Sequence, residues 1–551
     1  MAFLAAHMDK IMLVLGTLVG VYASTYFINM LQLESYQANM YVKWLRRNIL
    51  RDWFPTILIF VICMLLEIAL PILVNNLDIE NNQIYFVGLL SIRVIYLGLM
   101  GYVGWIWHQQ PLKKPLVYTG RVKRLIAAVA ILIAVLYIWP ITAKVYYSQT
   151  TLHVIGYAFT YLPALVLPLL VLLGHFLTYP IEEGIKRYYL NDAKRKLMAR
   201  TDIIKIGITG SYGKTSTKYA LGTLLNEKYN TLITPHSYNT PMGVTRVIRE
   251  QLLPEHEVFV AEMGARYVGD IDELCDLVHP TIGLLTSVDK QHLETFGSFE
   301  QIANTKFELI ANLPAEGAAF FNADNETCLA LKERKVAVQD RFLYGIDSPE
   351  PLYMRAVDIG VGSEGSYFTL KAENGESIAC RTRLLGQHNI LNLVGCAAIA
   401  HYMGLTLKQI AAGIRKVEPV EHRLQLIPGT VTVIDDAFNA NPAGAKAAMD
   451  VMRLFSGRRI VVTPGMVELG EEEDAQNEAF GRVMASSTDI AILIGKKRAE
   501  AIMRGLEAAG FPQEAIVIVP TLDQATEELA KLTKPGDVVL FENDLPDNYN
   551  E

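Results

Sequence analysis

Residues 209–217 read TGSYGKTST, and this stretch decides the fold of the second half of the chain. The apolar, β-branched run 203–208 before it predicts a buried strand, and the run 218–225 after it predicts a helix. A strand, a glycine loop and a helix N-terminus form a cradle for phosphate, because backbone N–H groups and the helix dipole attract anions. The stretch therefore predicts a site for ATP or a similar nucleotide.

Individual residues of this loop have distinct expected roles. Gly210 and Gly213 allow backbone angles that other residues avoid. Lys214 would neutralise the terminal phosphates, and the Thr215 hydroxyl would bind a magnesium ion. We therefore assign six loop residues to the nucleotide: Gly210, Ser211, Gly213, Lys214, Thr215 and Ser216.

The first 180 residues have a different character. The chain has 551 residues and is 51% hydrophobic, and five long apolar runs fall in this part, at 11–31, 53–75, 84–107, 125–147 and 152–178. Each run approaches or exceeds the ~20 residues that cross a bilayer. The pattern predicts an all-α transmembrane bundle of about five helices over residues 1–180.

The charges between these runs predict an orientation. Basic residues follow the first, third and fifth runs: Lys43, Arg46, Arg47 and Arg51; Lys113, Lys114, Arg121, Lys123 and Arg124; Lys186, Arg187, Lys194, Arg195, Lys196 and Arg200. The second run is followed by Asp78 and Glu80. Since basic loops stay cytoplasmic, we expect a multi-pass cell-membrane protein with its N-terminus outside and residues after 180 in the cytoplasm.

Polar residues within or beside the membrane runs leave alternatives open. Glu67, Arg93 and His175 lie inside the runs, and charges in lipid are usually paired or line a polar cavity. A structural Glu67–Arg93 pair and a polar site for a substrate head group both fit. The basic segment 181–200 fits either an amphipathic linker on the anionic inner leaflet or a solvated linker helix.

After residue 200, strand-like and helix-like runs alternate, which predicts α/β domains with mostly parallel sheets. A second alternating block begins near residue 431, so we divide this part into a central ATP-binding domain, 201–420, and a C-terminal domain, 421–551. The net charge of −7 argues against a nucleic-acid partner.

Several polar residues follow or lie near predicted strands. Glu262 ends the run 258–261, where a carboxylate is well placed to hold magnesium, although a helix cap or surface acid would look the same. By pattern alone, His292 is a structural histidine and Lys306 belongs to a solvated helix face. His388 and Asn392 share one helix face, suited either to capping or to reading an adenine edge. Asp435 and Asp436 end a strand and suggest nucleotide or metal contacts.

The order of these motifs resembles the Mur ligase family, in particular its MurF-type members, over residues 200–540. The motifs are TGSYGKTST, YNTPMGV (238–244), AEMGARYVGDI, HLETFGS, FNADN, GQHNILN, DDAFNANP and GMVELG. The resemblance implies a P-loop ATPase central domain and a Rossmann-like C-terminal domain.

The resemblance also implies residue roles. Lys214, Glu262, His292 and Lys306 would be catalytic, with Thr215, Glu262, His292 and a carbamoylated Lys306 serving two Mg²⁺ ions. Asn322, Asp324, His388 and Asn392 would bind the adenosine side of ATP, and Arg423 and Asp436 would reach the nucleotide from the C-terminal domain. The expected substrate-side residues are Asn239, Thr240, Asn439 and Asn441.

The activity implied is ATP-dependent ligation in peptidoglycan or envelope precursor synthesis. A carboxylate donor would become an acyl-phosphate, and an amino acid or dipeptide amine would attack it. Membrane spans stand where soluble members hold a UDP-sugar, so the donor could be lipid-linked or presented at the bilayer. The chain departs from the family at His422, Phe438 and Glu542-Asn543-Asp544. A poly-γ-glutamate-synthase-like ligase and an inactive nucleotide-binding membrane scaffold are the alternatives.

Overall fold

The structure is a computed structural model that describes residues 2–76, 82–110, 114–146, 150–290, 293–438, 441–467 and 469–543. The chain divides into two compact units after Lys186. The predicted acidic loop with Asp78 and Glu80, the basic residue Lys113 and the two site residues His292 and Asn439 lie outside the described residues.

The first unit is helical, as its apolar runs predict. Its helices are α1 (Ala2–Leu33), α2 (Ala38–Arg47), α3 (Phe54–Asn76), α4 (Asn82–His108), α5 (Gly120–Tyr146) and α6 (Thr150–Met198), with a π-helical turn at Ile49–Trp53. Helix α6 continues beyond Lys186 and ends in the second unit.

Within the described residues, four helical segments are long and apolar enough to cross a membrane: His7–Leu33, Ile49–Pro71, Ile84–His108 and Thr160–Met198. They correspond to the first, second, third and fifth predicted runs. The fourth run, 125–147, falls in α5 and extends beyond the described residues. The number of five spans therefore stays a prediction, as does the orientation.

The polar residues of the first unit are buried among these helices. Arg93 Nη1 lies 2.9 Å from Asp9 Oδ1, and Arg93 Nη2 lies 3.3 Å from Glu67 Oε1. The Glu67–Arg93 pair expected from the sequence is therefore present, with Asp9 as a third member. His175 is buried in α6, where its ring lies edge-on to Tyr179.

The second unit contains a nine-stranded sheet in the order β2-β3-β1-β4-β5-β6-β7-β8-β9. Neighbours from β2 to β7 are parallel, and β8 and β9 are antiparallel additions. The strands are β1 (Ile204–Thr209), β2 (Thr231–Ile233), β3 (Val258–Glu262), β4 (Ile282–Leu285), β5 (Ala318–Asn322), β6 (Asp340–Gly345), β7 (Met354–Gly362), β8 (Gly365–Ala372) and β9 (Ser377–Thr382).

Helices pack on both faces of this sheet, as the alternating pattern predicts. They are α7 (Lys214–Leu225), α8 (Pro241–Glu250), α9 (Asp270–Val278), α10 (Leu293–Phe296), α11 (Phe299–Ala311), α12 (Glu326–Lys332), α13 (Gln387–Tyr402) and α14 (Leu407–Lys416). One buried cluster holds residues of α7, α13 and α14, and a second holds residues of α8, α9 and α11.

A six-stranded sheet follows, in the order β10-β11-β15-β12-β13-β14, and only the β10–β11 pair is antiparallel. Its strands are β10 (Gln425–Ile427), β11 (Thr432–Asp436), β12 (Arg459–Thr463), β13 (Ile490–Ile494), β14 (Ile516–Val519) and β15 (Val538–Glu542). Its helices are α15 (Pro442–Met452), α16 (Glu473–Ala485), α17 (Lys497–Ala508) and α18 (Leu522–Leu532).

The predicted linker, 181–200, is not a separate element. Residues up to Met198 continue α6, and Ala193 and Leu197 are fully buried in the core of the second unit. Asp192 Oδ2 accepts a hydrogen bond from Arg249 Nε at 2.7 Å. The end of α6 therefore packs into this core through these residues, while most of 181–200 is exposed or half-buried, and its position on the inner leaflet or in solvent stays a prediction.

Candidate functional site

The phosphate loop joins the carboxyl end of β1 to the first turn of α7. Gly213 has a left-handed backbone with φ of 79°, and a Cβ there would lie 2.6 Å from Asn392 Oδ1. A Cβ at Gly210 would lie 2.0 Å from Thr286 Oγ1. Both positions therefore require glycine, as the sequence predicts for the loop.

Lys214 lies at the first position of α7, and Ser216 follows in the same turn. The Lys214 Nζ donates hydrogen bonds to the carbonyl oxygens of Gly210 at 2.6 Å and Ser211 at 3.1 Å. Burial lowers the pKa of Lys214 to about 8, with Arg423 adding to this and Glu262 opposing it. The ammonium is thus held over its own loop, where phosphate oxygens could replace the carbonyl groups.

Glu262, at the end of β3, is the centre of a buried cluster. Its Oε1 accepts hydrogen bonds from Thr215 Oγ1 at 3.1 Å and Asn239 Nδ2 at 3.0 Å, and its Oε2 accepts one from Lys218 Nζ at 3.0 Å. Burial alone would raise the pKa of Glu262, but Lys218, Lys214 and the Asn239 amide outweigh it and hold the pKa below its usual value. Glu262 is therefore an ionised carboxylate beside the phosphate loop.

Lys218 is a further residue of this cluster, which the sequence motifs do not single out. It is fully buried, forms the ion pair with Glu262 and also donates to the carbonyl oxygen of His236. The available signal was its position four residues after Lys214, which places both lysines on one face of α7. The composition of α7 does not indicate that the face carrying these two lysines is buried.

Lys306 lies in α11, and only 2% of its surface is exposed, so the solvated helix face expected from pattern alone is wrong. Burial lowers the pKa of Lys306 well below its usual value; nearby Lys214 lowers it further, and Asp270 and Glu308 act against this. The surroundings of Lys306 therefore favour the neutral form of its amine.

The residues expected on the adenosine side make contacts within the protein. Asn322 Nδ2 donates to the Thr286 carbonyl oxygen at 2.8 Å. The Asp324 carboxylate accepts backbone N–H groups of residues 346, 347 and 348 at 2.6, 3.1 and 2.7 Å. Both residues thus shape the loops after β4, β5 and β6, and their contact with adenosine stays a prediction.

His388 and Asn392 lie on α13. The amide of Asn392 packs against Gly213 of the phosphate loop, and the ring of His388 packs against Gly386. Burial lowers the pKa of His388 to about 4, so this imidazole is neutral at physiological pH. Asn392 thus contacts the phosphate loop itself.

The C-terminal domain contributes Arg423 to the same region. Its guanidinium lies 4.1 Å from the centre of the Phe438 ring. Burial lowers the pKa of Arg423, while the charges of Asp436 and Glu262 raise it, so Arg423 interacts with carboxylates of both domains. Its neighbours His422 and Leu424 have φ values of 58° and 48°, a left-handed backbone that is unusual for such residues.

Two of the expected substrate residues act as helix caps. Thr240 Oγ1 accepts the N–H of Gly243 at the start of α8, and Asn441 Oδ1 accepts the N–H of Gly444 at the start of α15. Asn239 instead contacts Glu262. Substrate contacts of these residues stay predictions.

Magnesium fits one part of this site. Thr215 Oγ1 and Glu262 Oε1 are oxygen ligands 3.1 Å apart, which suits the preference of Mg²⁺ for oxygen. Among the described residues, which exclude His292, no group of three or more His, Cys, Asp and Glu side chains could hold a metal ion. The protein ligands present therefore suit an ion that keeps water and phosphate oxygens in its shell.

Comparison with known proteins agrees with this geometry. Residues 208–400 match the Mur ligase middle domain, and residues 422–542 match the Mur ligase glutamate ligase domain. The chain is 34% identical over 300 residues to the UDP-N-acetylmuramoyl-tripeptide–D-alanyl-D-alanine ligase of Escherichia coli, covering 53% of this chain and 64% of that enzyme's length. It is 32% identical over 362 residues to the Mycobacterium tuberculosis ligase of the same name, covering 61% of this chain and 69% of that enzyme.

Solved structures give the same result. MurF from Acinetobacter baumannii superposes with a TM-score of 0.60 at 25% identity, covering 66% of this chain and 78% of that chain. The fold is also shared with the MurF ligase from Thermotoga maritima solved in complex with ADP, with a TM-score of 0.58, 24% identity and coverage of 66% and 81%. From its sequence, its phosphate loop and these matches, the chain belongs to the Mur ligase family.

Proposed function

We propose that this protein is an ATP-dependent amide ligase that activates a carboxylate as an acyl-phosphate and joins it to an amine during cell-envelope precursor synthesis. The arrangement of Lys214, Thr215 and Glu262 at the phosphate loop carries this proposal. It offers one cation for the transferring phosphate and a pair of oxygen ligands for magnesium. An inactive scaffold would have no need for a buried Glu262–Lys218 ion pair beside a phosphate loop.

Each side chain has a role in the proposed reaction. Lys214 exchanges its loop carbonyl partners for phosphate oxygens and stabilises the charge that moves during transfer. Lys218 and Asn239 hold the Glu262 carboxylate in one orientation, with Thr215 beside it. Magnesium, when bound, neutralises phosphate charge. Arg423 brings a second cation from the C-terminal domain.

Lys306 has the properties needed for carbamoylation. A neutral amine attacks CO₂, forming an N–C bond and releasing one proton, and the product is an anion with two oxygen ligands. The burial of Lys306 and the charge of Lys214 favour the neutral amine. The negatively charged carbamate would in turn be stabilised by Lys214 and by a second magnesium ion. The surroundings of Lys306 would therefore favour both the reaction and its product.

The names of the relatives suggest the substrates. We take a UDP-N-acetylmuramoyl-tripeptide as the first donor to test and D-alanyl-D-alanine as the first amine. The four apolar helical segments support a multi-pass protein of the cell membrane with a cytoplasmic ligase unit. A donor linked to lipid would then be confined with the enzyme, which raises its effective concentration.

The experiment uses full-length protein in nanodiscs with ATP, Mg²⁺, D-alanyl-D-alanine and either a UDP-linked or a lipid-linked muramoyl tripeptide. Lys214→Ala should reduce ligation by about 10³-fold or more, because the loss of the phosphate-neutralising cation raises the barrier to transfer. Lys408→Ala, an exposed position on α14, is the matched control. Turnover of Lys214→Ala at the wild-type rate would overturn the ligase proposal. Equal rates with the two donors would contradict a preference for a lipid-linked donor.

A further inference from the structure

Two carboxyl groups lie side by side at one edge of the C-terminal sheet. Asp436 is the last residue of β11 and Glu542 is the last residue of β15, and the two are direct partners in the parallel register. Their side chains therefore leave the same face of the sheet at adjacent carboxyl ends. In open α/β sheets this is the edge where ligands bind.

One oxygen of the Glu542 side chain lacks a hydrogen-bond partner. Only 1% of its surface is exposed, and its Oε2 has no hydrogen-bond partner among the residues that the structure describes. Burial raises the pKa of Glu542 well above its usual value, and Asp436 raises it further, by its charge and by a hydrogen bond between the two side chains. Asp436, in contrast, has two favourable neighbours: the charge of Arg423 lowers its pKa, and its Oδ1 accepts the Leu424 N–H at 3.2 Å. A buried oxygen without a donor is costly, so a ligand that supplies one would be bound favourably.

This acid pair is linked electrostatically to the ligase site through Arg423. The charges of both Asp436 and Glu262 raise the pKa of Arg423, so the pair and the phosphate-loop cluster both act on one guanidinium. The strand end that carries Glu542 is fixed: the Asn543 N–H donates to the Asp436 carbonyl oxygen at 3.1 Å, and Asn543 Nδ2 donates to the Gly465 carbonyl oxygen at 2.6 Å. The two carboxyl groups are thus presented by a rigid edge.

The chemistry of the pair selects the kind of ligand. Two adjacent carboxylates repel each other unless they share a proton or bind a cation. A divalent metal prefers about six oxygen ligands, and the described residues provide no cluster of three acidic, histidine or cysteine side chains. An ammonium group offers three N–H donors and one positive charge, which matches a pair of carboxyl groups with a vacant oxygen.

We propose that Asp436 and Glu542 form a subsite for an ammonium group of the amine substrate, so that the preferred acceptor carries a cationic side chain in addition to the amine that reacts. This rests on the proposed ligase function, because it assigns the subsite to that reaction's second substrate. Glu542 is the specificity residue of the pair, since Asp436 already has Arg423 beside it.

Binding to the full-length protein in nanodiscs, with ADP and Mg²⁺ present, tests the subsite without turnover. Calorimetry compares D-alanyl-D-lysine with D-alanyl-D-alanine, which differ by the side-chain ammonium. We expect the lysine dipeptide to bind at least about tenfold more tightly, and Glu542→Gln to abolish the difference. Glu527→Gln, at an exposed position of α18, should leave it unchanged.

Equal Kd values of the two dipeptides for the wild-type protein would overturn the proposed subsite, and so would the absence of measurable binding of either dipeptide. The two carboxyl groups would then only share a proton. Retention of the lysine preference in Glu542→Gln would do the same. If Glu542→Gln does not fold, Glu542→Lys supplies an internal partner for Asp436 and should reverse the preference. A wild-type lysine preference without any ligation would instead contradict the ligase function alone.

Discussion

Each of the two units buries an acid–base cluster, and the two clusters are built differently. In the helical unit, Arg93 of α4 reaches Asp9 of α1 and Glu67 of α3, so one guanidinium links three helices. In the ligase unit, Glu262 receives hydrogen bonds from Thr215, Lys218 and Asn239, beside a loop built for phosphate.

The difference shows how position decides what a buried charge does. Arg93 lies in the middle of a helix among apolar neighbours, where an unpaired charge is very unfavourable and pairing fixes how helices pack. Glu262 lies at the carboxyl end of a strand, next to a glycine loop whose backbone N–H groups attract anions. We infer that the first cluster stabilises a bundle and the second serves a reaction.

The largest expected effect tests the reactive side of this comparison. Lys306→Ala should lower ligation by roughly 10²–10³-fold, the range found when one preorganised charged or polar group is removed from an active site. Acetate should restore part of the rate by replacing the carbamate, and the mass of the intact wild-type protein under bicarbonate should show the added CO₂. Full activity of Lys306→Ala, with no effect of acetate, would contradict the assigned role.

The structural side of the comparison is tested by Arg93→Leu. Removing this cation takes the paired guanidinium away from the buried Glu67 carboxylate and from the partly exposed Asp9, which we expect to cost about 3–5 kcal/mol of stability of the helical unit. Denaturant-induced unfolding in detergent measures the change. Arg93→Leu combined with Glu67→Leu should recover part of the loss. A reduced ADP affinity in a fully folded Arg93→Leu protein would show that this cluster also serves the ligase.

A smaller effect is expected at the end of α6. Leu197→Ala should destabilise the ligase unit by about 2–4 kcal/mol, because Leu197 is fully buried in its core. Met198→Ala is the matched control, since Met198 is 51% exposed. For the same reason a soluble fragment that begins at residue 187 should unfold at higher urea than one that begins near 198. Equal midpoints would place the end of α6 outside the folded core.

The smallest effect concerns pH. Burial raises the pKa of Asp436 from 3.8 to about 7, so the folded protein binds this proton more tightly than the unfolded chain does. The stability that the protonated group contributes is complete below about pH 4 and is lost as pH rises through about 7. Asp436→Asn should therefore flatten the pH dependence of the urea midpoint between pH 4 and 7. An unchanged slope would contradict the assignment.

Features that depend on local patterns could be predicted from the sequence alone. The phosphate loop, the strand and helix around it, the alternating α/β order and the apolar helical runs all follow from glycine positions and hydrophobic periodicity. The carboxylate at the end of β3 and the Glu67–Arg93 pair could be anticipated too, since strand ends converge at one sheet edge and charges in apolar helices need partners.

Contacts between residues far apart in the sequence became visible only in the three-dimensional structure. By its local sequence, Lys218 is an ordinary helix residue. It pairs with Glu262, 44 residues away in the sequence, because α7 and β3 are neighbours in the fold. Asn392 contacts Gly213 only because α13 packs against α7, and Glu542 contacts Asp436 only because β15 inserts between β11 and β12. Local sequence patterns carry no information about such crossovers and registers, since these are set by the packing of whole elements.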